Sequence, residues 1–340
     1  MIRLPNLINS FAQMYPLNMN FWEIKSNSDF EICTMQTFYY QYKNNSVYRS
    51  YCDLINFNSS DLKSIHEIPF LPINFFKTHE VKSFNEKEAL TFTSSGTSGS
   101  ETSKHLVKQV KDYEKSFSTA FNLFYKKPKN YAVLALLPSY LERSGSSLIY
   151  MANYLINESN YPKSGFYLNN LEDLKDILEQ LEKEKQPTIL LGVSFALLDL
   201  IERFKFNLNH VTVMETGGMK GRRKELIRED LHQQLCSGFG VSEIHSEYGM
   251  TELLSQAYSR GNGLFSCPPW MRIFTRDTSD PFTTLDYGMM GNLNIIDLAN
   301  KDSCAFIATQ DLGRIHSVNS FEVLGRVDNS DIRGCNLLVY

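Results

Sequence analysis

A basic surplus, paired cysteines and long apolar runs are all missing from this 340-residue sequence. Lysine and arginine number 34 against 38 aspartates and glutamates, a formal net charge of −4. A chain that grips nucleic acid through its phosphates needs a basic face, so that class is set aside. The six cysteines (Cys33, Cys52, Cys236, Cys267, Cys304, Cys335) form no Cys-x-x-Cys, and none stands at metal-ligand spacing from a histidine. This excludes a zinc ribbon or a disulfide scaffold and fits free thiols in a reducing compartment. The most apolar run, Tyr131 to Leu137, is far below the ~20 residues that span a bilayer, and Glu142 and Arg143 soon interrupt the sequence beyond it. The opening Met-Ile-Arg-Leu-Pro-Asn lacks the apolar core of a secretion signal. No membrane span and a cytoplasmic location are the expectations.

Hydrophobic residues make up 42% and charged residues 21%, the balance of an ordinary globular protein whose core needs no staple. Residues 1–90 are rich in aromatics and asparagine and suggest helices with irregular connections. An alternation follows. Ala89 to Thr93 is a short apolar approach to a Gly/Ser-rich stretch, and Tyr131 to Leu137 reads as a buried strand. Leu171, Leu174, Ile177, Leu178 and Leu181 fall on one helical face that Pro187 stops. Thr188 to Leu191 is a strand, Phe195 to Phe204 a helix, Val211 to Glu215 a β-branched strand, and a charged helix runs on to about Leu235. Repeated strand–helix alternation predicts an α/β fold with a largely parallel sheet. After Pro281 the texture turns to short strands, Leu293 to Leu298, Cys304 to Thr309, Phe321 to Leu324 and Asn336 to Val339, which reads as a small β-rich subdomain.

Two stretches carry chemistry. Thr91 to Ser100 holds seven hydroxyl residues and two glycines. Glycines let backbone N–H groups approach an anion, hydroxyls add donors around phosphate oxygens, and Lys104 could supply a point charge. A flexible surface loop has the same composition. Lys104, Lys108 and Lys111 also fit one solvated helical side. The second stretch, Tyr248-Gly249-Met250-Thr251-Glu252, gathers an aromatic ring, a hydroxyl and a carboxylate within five residues. The plain alternative is a strand-turn-helix with a glutamate in the first turn. His105 and His245 border these stretches, either as contacts to phosphate or carboxylate and proton carriers, or as packing residues.

Thr93-Ser94-Ser95-Gly96-Thr97-Ser98-Gly99 resembles the phosphate loop of the adenylate-forming superfamily, and Tyr248 to Glu252 is similar to its aromatic-Gly-x-Thr-Glu motif. Gly217-Gly218-Met219 and Asp311 match, in order, its adenine-bordering and ribose-binding segments, although Gln310 stands where a glycine is usual. Arg326, in Gly325-Arg326-Val327-Asp328, resembles a nucleotide contact beside the hinge. The resemblance implies ATP and Mg²⁺, with Glu252 toward the metal and Thr251 toward the α-phosphate.

The sequence stops soon after the hinge, with Cys335 in an Arg-Gly-Cys-Asn-Leu-Leu-Val ending. In this it is similar to the acyl-protein synthetase (LuxE-like) family, in which a fatty acid is adenylated and passed to a cysteine near the C-terminus. The fold implied is α/β, of the adenylate-forming large-domain type, with mixed and parallel sheets flanked by helices, a small β-rich subdomain and the mobile C-terminal domain missing. Its parts would be a helical and irregular region at 1–90, an adenylation domain at 91–325, and a hinge-like tail at 326–340 carrying the acyl-accepting cysteine. The partners implied are a fatty acid and an acyl-accepting protein, a fatty acid reductase or a carrier. Cys335 is either that nucleophile or a small buried hydrophobe. The rival functions are an acyl-CoA or acyl-carrier ligase and a non-catalytic nucleotide- or acyl-binding subunit.

Overall fold

The computed structural model describes residues 20–94, 102–138, 145–217, 223 and 226–326. Helix α1, Asn27–Asn44, opens on a capping box in which Ser26 Oγ accepts from Asp29 N and the Asp29 carboxylate accepts from Ser26 N at 2.9 Å. Asn45 then caps α2, Ser46–Leu54. The two-residue strand β1, Leu71–Pro72, and the short α3, Phe75–Thr78, lead to an antiparallel hairpin of β2, Leu90–Thr93, and β3, Lys104–Val107. This hairpin forms a two-stranded sheet of its own.

Helix α4, Val110–Tyr125, precedes the βα alternation expected from the apolar runs: β4, Ala132–Leu136; α5, Ser147–Ser159; β5, Gly165–Phe166; α6, Leu171–Lys183; β6, Thr188–Val193; α7, Ser194–Arg203; β7, Val211–Thr216; α8, Arg228–Phe239; β8, His245–Tyr248. Every residue of β4 and β6 is buried, as strands covered on both faces must be. Short strands β9, Ala257–Ser259, and β10, Leu264–Ser266, follow, then the longer β11, Met271–Arg276, β12, Met290–Asp297, β13, Phe306–Ser317, and β14, Ser320–Arg326.

The main sheet has twelve strands in the order β11-β12-β13-β14-β10-β9-β8-β7-β6-β4-β5, with β1 pairing β13 outside this path. From β5 to β8 the pairs are parallel, and from β8 to β11 they are antiparallel. The β-rich C-terminal part is therefore hydrogen-bonded to the parallel part along one continuous sheet. One hydrophobic core runs from α1 through the parallel strands to Phe321. Among the described residues no helix is long and apolar enough to cross a membrane.

Candidate active site

In an open parallel sheet the strand carboxyl ends, and the place where strand order or direction changes, leave a crevice for ligands. Here β7 ends at Thr216, just before Gly217, and β8 ends at Tyr248, beside the change from parallel to antiparallel pairing. The register Thr216↔Glu247 brings those two ends together. Gly217 has φ +64°, a left-handed conformation that a side chain would strain. Its carbonyl accepts from Ser194 Oγ at 2.8 Å.

Tyr248, Asp311 and Arg326 meet although they come from three separate stretches. The Tyr248 hydroxyl donates to Asp311 Oδ2 at 2.8 Å. Asp311 pairs Arg326 across β13 and β14, Arg326 Nε lies 4.0 Å from Asp311 Oδ1, and Arg326 donates to Gln310 Oε1 at 3.2 Å. Burial pushes the Asp311 carboxyl up, while Tyr248 and Arg326 pull it down. The Tyr248 ring stands edge-on to Phe265 and Phe321, with centroids 5.9 and 5.7 Å away.

The hydroxyl-rich stretch is the connection from β2 to β3, and of it Ser94, Thr102 and Ser103 are among the described residues. Ser94 N donates to Ser103 O at 3.1 Å and Ser103 N donates back to Ser94 Oγ at 2.9 Å, closing the loop at its root. Thr93 N donates to Gly145 O at 2.8 Å, tying the root to the start of α5. Lys104 is exposed on β3 opposite Thr93; the Glu80 carboxyl is lowered chiefly by its pair with Lys82, and Lys104 adds to that. The helical alignment of Lys104, Lys108 and Lys111 is thus corrected: Lys104 is in a strand, and α4 begins only at Val110.

Strand alternation turns the next side chain, His105, inward. Its Nδ1 lies 2.9 Å from Thr251 O and its Nε2 2.9 Å from Ser303 Oγ. A carbonyl only accepts, so Nδ1 carries the proton and Nε2 accepts from the Ser303 hydroxyl. Burial pushes the His105 pKa down to about 4. With both nitrogens engaged by the protein, it is neither a phosphate contact nor a proton carrier at neutral pH. His245 engages the Tyr125 hydroxyl at 3.0 Å and Glu243 at 3.4 Å.

Residues 249–256 form a turn into β9 rather than the start of a helix, so the strand-turn-helix alternative is also corrected. The reason is a set of outside partners for the turn's backbone. Asn300 Nδ2 donates to Glu252 O at 2.7 Å, and Leu254 N donates to both Asn300 Oδ1 and Asp297 Oδ2 at 3.0 Å. Ser255 N and Oγ donate to the Asp297 carboxylate at 2.9 and 2.6 Å. Glu252 itself is buried; desolvation raises its pKa, opposed by the Ser103 hydroxyl and Arg326. Glu252 thereby adjoins both the hairpin root and the Asp311–Arg326 pair. Thr251 and Met250 are half-buried beside it, as is Gly249.

One neighbour escaped the sequence reading. Glu247, on the sheet face shared with Thr216, accepts from the Thr216 hydroxyl, and a Cβ on Gly249 would lie 2.5 Å from its Oε1. Burial, helped by the charge of Glu215, raises Glu247 to about 7. Glu215 faces the other side, paired with Arg228 at 2.6 Å and held below the usual carboxylate range despite its burial. The only signal for Glu247 was its place beside Tyr248.

Among the described residues no group of three or more His, Cys, Asp or Glu could hold a metal. Mg²⁺ bound through one carboxylate and substrate phosphates needs no such group, and the buried Glu252 fits that mode. Of the expected site residues, Ser95, Gly96, Thr97, Ser98, Gly99, Gly218, Met219 and Cys335 lie outside the described residues. So does the strand expected at Asn336 to Val339.

The sequence matches the family described as acyl-protein synthetase, LuxE, over residues 15–340. No curated protein matches it. Among solved structures it is similar to ATP-bound MatB from Rhodopseudomonas palustris, with a TM-score of 0.53 and 18% identity, covering 71% of this chain and 49% of that one. It is also similar to a 2-hydroxyisobutyryl-CoA ligase in the postadenylation state with 2-HIB-AMP, with a TM-score of 0.66, 12% identity and coverage of 89% and 68%. The same ligase in an open conformation with 2-HIB-AMP and CoA gives a TM-score of 0.64, 12% identity and coverage of 89% and 75%. At these identities the likeness is one of fold, and the chain spans about half the length of MatB. With the fold of the adenylate-forming ligases and a family match over nearly its whole length, the chain belongs to the acyl-protein synthetase, LuxE, family.

Proposed function

We propose that this protein activates a fatty acid with ATP and passes the acyl group to its own Cys335, from which an acyl-accepting partner, a fatty acid reductase or a carrier, collects it. The observation that carries the activation step is the meeting of Tyr248, Asp311 and Arg326 beside the buried Glu252 and the root of the hydroxyl-rich hairpin. In this reading the Tyr248 ring and the Gly217-Gly218-Met219 backbone, with Gly249 and Met250, border the adenine. Asp311 accepts from the ribose hydroxyls and Arg326 contacts the nucleotide. Thr251 donates to the α-phosphate, while Thr93 to Gly99 and Lys104 cradle the β- and γ-phosphates. Mg²⁺, when held by Glu252, offsets charge on the phosphates.

The acid's carboxylate oxygen attacks the α-phosphorus, the bond to the β-phosphate breaks, and pyrophosphate leaves; donors fixed in advance around the transferred group lower that barrier. The Cys335 thiolate then attacks the acyl carbonyl, a thioester forms, and AMP leaves. Incubation with ATP, Mg²⁺ and a labelled long-chain acid should label native protein and leave Cys335→Ala unlabelled, while that variant still exchanges pyrophosphate into ATP. Equal labelling of the two removes Cys335 from the scheme. Free acyl-CoA on addition of coenzyme A would move the acceptor off the protein. ATP binding without any pyrophosphate exchange would make the chain a non-catalytic subunit.

A further inference from the structure

The turn that carries Thr251 and Glu252 is held from behind, by a second turn at 300–305 that takes no part in the scheme above. That second turn is itself anchored by the N-terminal helix. Gln41 Nε2 donates to Asn300 O and Lys301 O at 2.9 Å and to Ser303 O at 3.2 Å, and Gln41 Oε1 accepts from Ala305 N at 2.9 Å. Asn45 Nδ2 and Ser83 Oγ also donate to Ser303 O, at 2.8 and 3.1 Å. Gln41 and Asn45 are fully buried. Ser303 is therefore a fixed point, and its hydroxyl fixes His105 Nε2. The Phe76 ring stands edge-on to the imidazole, with centroids 5.8 Å apart. The remaining nitrogen, Nδ1, is left with one orientation, toward Thr251 O.

We propose that His105 is a positioning residue for adenylation: its Nδ1–H holds the Thr251 carbonyl and so fixes the Thr251 hydroxyl and the Glu252 carboxyl against the root of the phosphate-loop hairpin. This rests on the function proposed above. The bond joins β3, which leads out of the hydroxyl-rich loop, to the turn that would meet the α-phosphate and the cation. Without it a carbonyl in a largely desolvated place lacks a donor, and the Thr251 peptide re-aims to find one. Misplacement of a reacting contact by about 1 Å costs about 100-fold in rate. Binding of the adenine and ribose, through Tyr248 and Asp311, is anchored on other strands and stays.

Two amide substitutions separate the two nitrogens. Asparagine at 105 sets an N–H close to the Nδ1 position, whereas glutamine sets one close to Nε2. His105→Asn is expected to keep the maximal pyrophosphate exchange rate within about 3-fold of native. His105→Gln is expected to lower that rate about 30-fold with KM for ATP changed by less than about 3-fold. The two variants should melt at similar temperatures. Equal rates in the Asn and Gln variants, or losses that track melting temperature or appear in KM alone, overturn the proposal. Should a variant at 105 fail to fold, Ser303→Ala removes the hydroxyl that fixes the ring. A loss of about 5-fold in kcat at constant KM is then expected, and an unchanged kcat overturns the proposal. Absence of exchange in native protein would overturn the proposed function and this inference with it, an outcome distinct from failure at His105 alone.

Discussion

At the scale of single residues, the hydrogen bond from Tyr248 to Asp311 joins two positions, both proposed to face the nucleotide, that lie far apart along the chain. Tyr248→Phe leaves a half-buried carboxyl short of a donor, which costs about 1 kcal/mol. Urea unfolding should show that loss together with a higher KM for ATP. Glu247 yields a pH prediction. Its folded-state pKa of about 7 lies above that of an exposed glutamate. The folded protein therefore holds a proton that the unfolded chain releases, so the protonated side chain's stability is full below pH ~4 and is lost as pH rises through about 7. Glu247→Gln should flatten this fall. Native protein should lose on the order of 1–3 kcal/mol more between pH 5 and pH 8 than the variant does, and parallel stability–pH curves would discard the assignment. That Tyr248, Asp311 and Glu252 gather in one place was legible through the resemblance of their motifs, in order, to those of one superfamily. Gln41 and Asn300 were not, since a buried amide that satisfies backbone groups on another segment of the chain leaves no local pattern.

Among the elements, the parallel strands were the easiest to read. Each is a short apolar run that must be covered on both faces, and β4, β6 and β7 stand where such runs predicted them. The turn after Tyr248 resisted reading because its backbone partners, Asp297 and Asn300, come from a later segment. Helix packing supplies another test. A Cβ on Gly238 of α8 would lie 2.5 Å from Ile201 Cβ of α7, so the two helices approach as closely as they do because that side chain is absent. Gly238→Ala should force them apart and cost about 1–3 kcal/mol, read as a lower urea midpoint with an unchanged slope. A midpoint equal to native would mean the pair adjusts freely.

The whole molecule is organised by a sheet that changes from parallel to antiparallel pairing without a break, with the candidate site at the change. A ligand seated there contacts strands of both halves and should stabilise them together. At a hundred-fold excess over its Kd, a non-hydrolysable acyl-adenylate mimic is expected to add about 3 kcal/mol, seen as one sharper and later melting transition. Asp311→Asn at the same concentration should lose most of that gain. Two separate transitions, with only one shifted, would mean that the halves do not share the ligand.

The Gln41 clamp bears on attempts to trim this protein to a minimal catalyst. A version beginning at residue 91 would keep every motif named for nucleotide and metal, and on motif content alone it would pass for complete. It would also strip the amide from Asn300 O, Lys301 O, Ser303 O and Ala305 N, at the turn that carries Ser303 and steadies Glu252. Such a version should be recovered as aggregate or as an inert fold. Residues 20–90, which hold none of the expected ATP contacts, are the splint on which that turn is set.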